Sequence, residues 1–383
     1  MYSIFIKFSR VGACLAMGAL AMAQSPQERQ VSPGVHHSHK TLEGPLNVNT
    51  VRFDLSHPAI TLEAEPGMNV MFNGERTNDT VKREMIPGNP VPVAAVNGDF
   101  WRSQTRLYRP VGMLVSDGML HTMPAKDRAV LTMTADEKIS MKPITMNLRL
   151  QADKGLTLDI ESLNNGQSTD SITLFTAPYG AEVKPEKQWD FWSLKLTSAE
   201  FLPNKPVTGV LTDAVDTTSC PLGSSQMVLA LPHSTKSKLV SGTNVRLIAE
   251  VPEVPAVITA AVGGSTRLIE NGKVVIEKDK NGNETVFSKT RHPRTAVGFS
   301  QDGKTGYLVT VDGRQPSVSI GVGLKQLADI MLEMGCHDAM NLDGGGSTSM
   351  VINGEIVNKP SDPAGPRKVA NSLMVMVGGP SIP

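Results

Sequence analysis

Leu324-Lys-Gln-Leu-Ala-Asp-Ile-Met-Leu-Glu-Met334, Ala339-Met-Asn-Leu342, Asp343-Gly-Gly-Gly-Ser347 and Met350-Val-Ile-Asn-Gly-Glu-Ile-Val357 follow one another, and this stretch decides the fold. In the first segment Leu324, Leu327, Ala328, Met331 and Leu332 recur at helical spacing, and Gly335 stands where a helix would end. Residues 339–342 read as a short buried strand that delivers Asp343 into a glycine turn. The last segment is a hairpin pattern, with Asn353-Gly354 at positions that need a left-handed backbone.

Outward from there the same hairpin chemistry returns at Val115-Ser-Asp-Gly-Met-Leu120 and Leu268-Ile-Glu-Asn-Gly-Lys-Val-Val275. Short β-type runs occupy 49–55, 60–64, 91–96, 111–115, 172–175 and 245–249. The predicted class is therefore α+β, mainly mixed or antiparallel β-sheet with a few packed helices. Residues 46–383 read as one domain, in which the prolines of 251–257 suit a sheet edge or a connection between subregions.

The chain has 383 residues, 40% of them hydrophobic, enough to bury a large core. Lys+Arg and Asp+Glu both number 37, so no global field favours nucleic acid or an anionic membrane. Lys7 and Arg10 precede an apolar run from Val11 to Ala23 that ends Ala21-Met22-Ala23, the layout of a secretory signal cut after Ala23. That run is shorter than the ~20 residues of a membrane span, and no later stretch qualifies. The expected product is a periplasmic or secreted protein with no membrane span after signal removal. Residues 24–45, polar and without periodicity, read as a flexible leader that carries His36, His37 and His39. Cys220 and Cys336 either pair or remain two buried thiols. No cysteine and histidine spacing predicts a metal site, so no cofactor is expected. Oligomeric state is not read from the sequence.

Four clusters carry candidate chemistry. In Asn341-Leu342-Asp343-Gly344-Gly345-Gly346-Ser347 three glycines let a ligand approach the backbone between a carboxylate and a hydroxyl. The structural alternative is a tight turn whose aspartate satisfies its own backbone. Arg294 and, after a strand, Asp312-Gly313-Arg314 offer two guanidiniums for a phosphate or carboxylate beside a carboxylate, or else a surface ion-pair network. Asn97-Gly98-Asp99-Phe100-Trp101 combines polar groups and aromatic faces of the kind a sugar site needs, or is another turn over the core. Gly263-Gly264 is a fourth glycine turn with the same ambiguity.

In this order, from about Pro90 to Val377, these segments resemble the phosphodiester glycosidase family. The likeness rests on Val96 to Trp101, Pro110-Val-Gly112, Thr176 to Gly180, Val262-Gly-Gly264, Arg294 to Gly298, Asp312-Gly-Arg314, Asn341 to Ser347 and Arg367 to Asn371. The resemblance implies hydrolysis of a sugar-1-phosphodiester to a free sugar and a phosphate monoester. Asp312 and Asp343 would then divide the acid, base or nucleophile duties, with Arg294 and Arg314 on the phosphate. Asn97, Asp99, Gly263, Gly264, Asn341, Gly344, Gly345, Gly346, Ser347 and Arg367 would bind substrate. For an exported enzyme the expected partner is a sugar-phosphate glycan of cell-wall or exopolysaccharide type. Two rival readings are a non-catalytic anionic-glycan-binding envelope protein and a phosphodiesterase whose divalent metal is held by Asp99, Asp312 and Asp343.

Overall fold

The computed structural model describes residues 27–101, 108–165, 171–184, 189–213, 219–233, 235 and 239–378. The proposed signal segment and its cleavage site lie outside these residues. The helix lies at Leu324–Glu333, and it buries Leu324, Leu327, Ala328 and Met331 completely. Burial of each such side chain contributes about 1.5–3 kcal/mol, while Leu332 turns outward. Gly335, at φ +94°, ends the helix in the left-handed region. The three hairpin turns are formed, with positive φ at both Asp117 and Gly118, Asn271 and Gly272, and Asn353 and Gly354. That backbone twist matches the twist of the flanking strands.

The architecture is α+β and dominated by antiparallel sheet, in stacked layers. One eight-stranded sheet has the strands Arg294–Phe299, Thr305–Val311 and Asp338–Asn341 near its middle. Its two faces follow the period of two: Ala296, Val309 and Val311 face the helix, whereas Val297, Phe299 and Leu308 face the central core. Across that core lie two five-stranded sheets. One contains Val91–Asn97, Met350–Ile352 and Asn371–Val377, and a second helix, Thr77–Glu84, covers its other face through Val81. The other contains Leu114–Ser116, Ala129–Thr134 and Ile258–Gly263. A second eight-stranded sheet, from residues between 147 and 250, packs on the far side of the latter through one continuous apolar cluster. The proline-containing segment 251–257 connects those two sheets.

The leader expectation fails for most of its length. Gln27–Ser32 and Val35–Leu42 are strands that pair in register with each other and with Leu46–Asp54. Strand pairing supplies their backbone partners, so one fully buried side chain, Val35, with Val31 packed on the same cluster and Leu42 on another, suffices to order a polar edge. Cys220 and Cys336 are buried in separate apolar clusters.

One buried acid belongs to the frame. Glu65, on the strand Ile60–Pro66, accepts a 2.9 Å hydrogen bond from Ser116 Oγ through one carboxyl oxygen, and its other oxygen has no partner. Burial and the charge of Asp117 push this carboxyl up to about 8.

Candidate active site

Two strands from facing sheets end side by side at the top of the central core. Asp338–Asn341 delivers Leu342 and Asp343, and Val91–Asn97 delivers Gly98 and Asp99. Their ends are tied together by Asp343 N–H donating to the Gly98 carbonyl at 3.0 Å. Asn97 is wholly buried: its Nδ2 donates to the Asp343 carbonyl at 2.7 Å, while its Oδ1 accepts from Thr295 Oγ1 at 2.8 Å and Ser349 N–H at 3.1 Å. The expected sugar contact is thus replaced by a strut. Asn97 aims the backbone of Asp343 and has no bonding capacity left over for substrate at its oxygen.

The three candidate aspartates have different fates. Asp312 is 2% exposed and accepts from Asn358 Nδ2 at 3.0 Å and from the Lys359 N–H at 3.0 and 3.1 Å. Asn358 in turn bonds the Thr348 carbonyl and the Met350 N–H, so Asp312 clamps the chain that follows the glycine turn. The expectation that it faces Asp343 across a scissile bond is not met, because its oxygens are already occupied by that clamp. Asp99 is also fully buried, and its two oxygens accept from Phe100 N–H at 2.7 Å and Gly112 N–H at 2.6 Å. It secures a turn and does not present itself to sugar hydroxyls. Asp343 alone of the three keeps part of its surface open. One of its oxygens accepts from Gly344 N–H at 2.8 Å, the self-satisfied turn foreseen as the structural alternative, and the other has no hydrogen bond.

Asp99 and Asp343 are electrically coupled. Burial raises the Asp99 carboxyl to about 6, opposed by Arg128 and the two N–H donors and helped by the charge of Asp343. Burial also raises Asp343 to about 6. Its rise is opposed by the nearby Ser347 hydroxyl, by the Gly344 N–H, and by Arg367 and Arg128. Glycine is required behind this pair. A Cβ on Gly263 would stand 2.6 Å from Asp99 Oδ2 and 2.8 Å from Gly112 Cα, so Gly263 and Gly112 are pressed together against the carboxylate. Gly264 packs likewise on the Asn341 carbonyl, which puts both glycines of that turn in support of the site and not in contact with substrate.

Two glycines of the triplet face a guanidinium, and the first of the three, Gly344, lies against the Pro293 carbonyl and the stem of Arg294. A Cβ on Gly345, at φ +63°, would stand 2.9 Å from Arg314 Nη2, and one on Gly346 would run into Arg367 and its partner Asp362. Arg294 is 2% exposed, bonded only to the carbonyls of Val322, Phe287 and Thr290, with Cζ 4.6 Å from the centre of the Phe287 ring. Burial, with repulsion from Arg314, lowers its pKa to about 10, so it still carries its charge at neutral pH. Arg314 is exposed and lies 3.4 Å from His292 Nδ1. Around the same turn the buried polar atoms Asn341 Oδ1, Ser347 Oγ, Thr348 Oγ1, Ser349 Oγ and Asn371 Nδ2 lack protein partners. A concentration of vacant hydrogen-bonding capacity beside three cations suits a polar, anionic ligand. Among the described residues no three or more His, Cys, Asp or Glu side chains are grouped to hold a metal ion.

Sequence reasoning missed three participants. Asn371 Oδ1 accepts the Asp99 N–H at 2.8 Å, and Arg128 stands 3.5 Å from Asp99 Oδ1. Phe287, 40% exposed, forms an aromatic lip with Phe100 at a ring separation of 6.2 Å. None of the three sits in a cluster of like chemistry along the chain.

Residues 206–376 match the family model described as phosphodiester glycosidase. N-acetylglucosamine-1-phosphodiester alpha-N-acetylglucosaminidase of Bos taurus is 34% identical over 110 residues, which are 26% of this chain and 20% of that protein. The matched part thus spans about a fifth of that relative's length. The fold is shared with a protein of Synechocystis at TM-score 0.70 and 20% identity, covering 94% of this chain and 65% of that one. It is also shared with a Burkholderia pseudomallei protein named as exported, at TM-score 0.64 and 21% identity, covering 86% of this chain and 74% of that one.

Proposed function

We propose that this chain, whose residues 206–376 belong to the phosphodiester glycosidase family, hydrolyses a sugar-1-phosphodiester with Asp343 as its one reacting carboxylate. The observation that carries the reading is the pairing of a partly open Asp343 with a glycine turn whose Gly345 and Gly346 face Arg314 and Arg367. In an ordinary glycoside the leaving alkoxide is strongly basic and needs a second carboxyl to protonate it. Here the leaving group is a phosphate monoester, whose second pKa is about 6, and guanidiniums can neutralise its charge without giving up a proton. A single carboxylate is then enough, in keeping with the burial of Asp99 and Asp312.

In the reaction Asp343 takes a proton from water, the water oxygen bonds to the anomeric carbon, and the carbon–oxygen bond breaks with its electron pair going to the phosphate. Arg314 holds that phosphate and the buried Arg294 adds its charge from behind the turn, while Phe287 and Phe100 offer an apolar face to the sugar or its aglycone. The working form of Asp343 is ionised, so activity fades below about pH 6.

We place the enzyme outside the cytoplasm, on the strength of residues 1–23 and the exported relative of like fold, and no helix among the described residues is long and apolar enough to cross a membrane. The substrate we propose is a cell-wall or exopolysaccharide-type glycan with sugar-phosphate links. Turnover of a chromogenic sugar-1-phosphodiester in oxygen-18 water tests the chemistry: label in the sugar supports it, and label in the phosphate refutes it. Binding without turnover marks an anionic-glycan-binding protein instead, and loss of turnover on chelation marks a metal-dependent phosphodiesterase.

A further inference from the structure

Arg128 takes no part in the reaction as drawn, yet it occupies the one position from which a cation acts on both coupled carboxylates. It precedes the strand Ala129–Thr134 and lays its guanidinium over Phe100, with Cζ 4.8 Å from the ring centre. Nη2 comes to 3.5 Å from Asp99 Oδ1, and neither Nε nor Nη2 has a hydrogen-bond partner, though both are buried. What Arg128 contributes there is charge and not a directed bond. The charged groups that act on Asp99 are Arg128 and Asp343; those that act on Asp343 are Arg367 and Arg128. Arg367 is engaged with Asp362, exposed, and acts on Asp343 alone, which leaves Arg128 as the cation that the two carboxylates share. Two carboxylates that share a poorly solvated space resist ionising together unless a cation stands between them.

We propose that Arg128 is a positioning residue that lets Asp99 and Asp343 be ionised at the same time, so that Asp99 keeps its clamp on Gly112 while Asp343 serves as base. The role rests on the assignment of Asp343 to the reaction, but the ionisation itself is measurable without substrate. The full chain labelled with carboxyl carbon-13 in aspartate is titrated by NMR, with Asp99→Asn and Asp343→Asn identifying the two signals. Arg128→Gln raises both titrations by about one pH unit or more. The acid limb of kcat/KM moves up by the same amount with KM little changed, and Arg128→Lys restores most of the shift. Should the glutamine variant not fold, Arg128→Met keeps the contact with Phe100 and gives the same readout. Titrations that stay at the wild-type values in the neutral variant overturn the proposal. A shift in the glutamine variant, together with wild-type protein that turns over no phosphodiester, leaves the pairing intact and removes the glycosidase reading. Turnover without the shift does the reverse.

Discussion

Asp312-Gly313 and Asp343-Gly344 look alike in the sequence: each aspartate follows an apolar strand, and each is followed by glycine. In the fold they are opposites. Asp312 is sealed by Asn358 and the Lys359 N–H, whereas Asp343 keeps one oxygen free among vacant polar groups. The difference teaches that the identity of a carboxylate matters less than which donors already occupy it. A sealed carboxylate holds the chain, and an unsealed one is available for chemistry.

The hardest blow to this contrast comes from Asp343→Asn, which should lower turnover of a sugar-1-phosphodiester by about 10²- to 10⁴-fold with a thermal midpoint no lower than wild type. A variant within a few-fold of wild type would put the chemistry elsewhere. Arg314→Ala removes an exposed cation that no carboxylate holds. Steady-state kinetics should show a loss of about 10- to 100-fold in kcat/KM, with stability within ~0.5 kcal/mol of wild type. Asp312→Asn should behave in the opposite sense, costing about 1–3 kcal/mol in urea unfolding because the Lys359 N–H loses its charged acceptor, while turnover per folded molecule barely changes.

The smallest effect sharpens the contrast through pH. Asp99 and Asp343 titrate at about 6 in the folded chain against a reference of 3.8, so the folded state binds more protons than the unfolded state between those values. Stability should therefore fall as pH rises from about 4 to about 6. Urea midpoints across that window should decline less steeply in Asp343→Asn than in wild type. An equal slope would mean that Asp343 ionises no differently in the two states.

The parts of the molecule legible in the sequence are those that local chemistry fixes. Asn353-Gly354 and its two counterparts specify their turns, the spacing of Leu324, Leu327, Ala328 and Met331 specifies a helix, and three consecutive glycines after Asp343 mark a turn. Asp312 was misread because its donors come from residues 46 and 47 positions away, beyond any local pattern. Arg128 was passed over for the same reason: nothing beside it in the chain announces that Asp99 is its partner. The strands at 27–42 were hidden by their polarity, since an edge strand can be ordered by backbone pairing and few apolar contacts.

The bond from the Asp99 N–H to Asn371 Oδ1 joins residues separated by 272 positions, and the strand that begins at Asn371 lies inside its sheet, between Val91–Asn97 and Ile60–Pro66. Contacts of such long range are slow to form, because the intervening chain must first be brought together. During folding the glycine turn and its arginines can assemble while Asp99 still lies uncaged. Without Asn371–Val377 the strand Ile60–Pro66 loses its partner and Leu373 and Val375 leave the central core, so a chain that stops short of residue 371 would lose part of the frame together with the site.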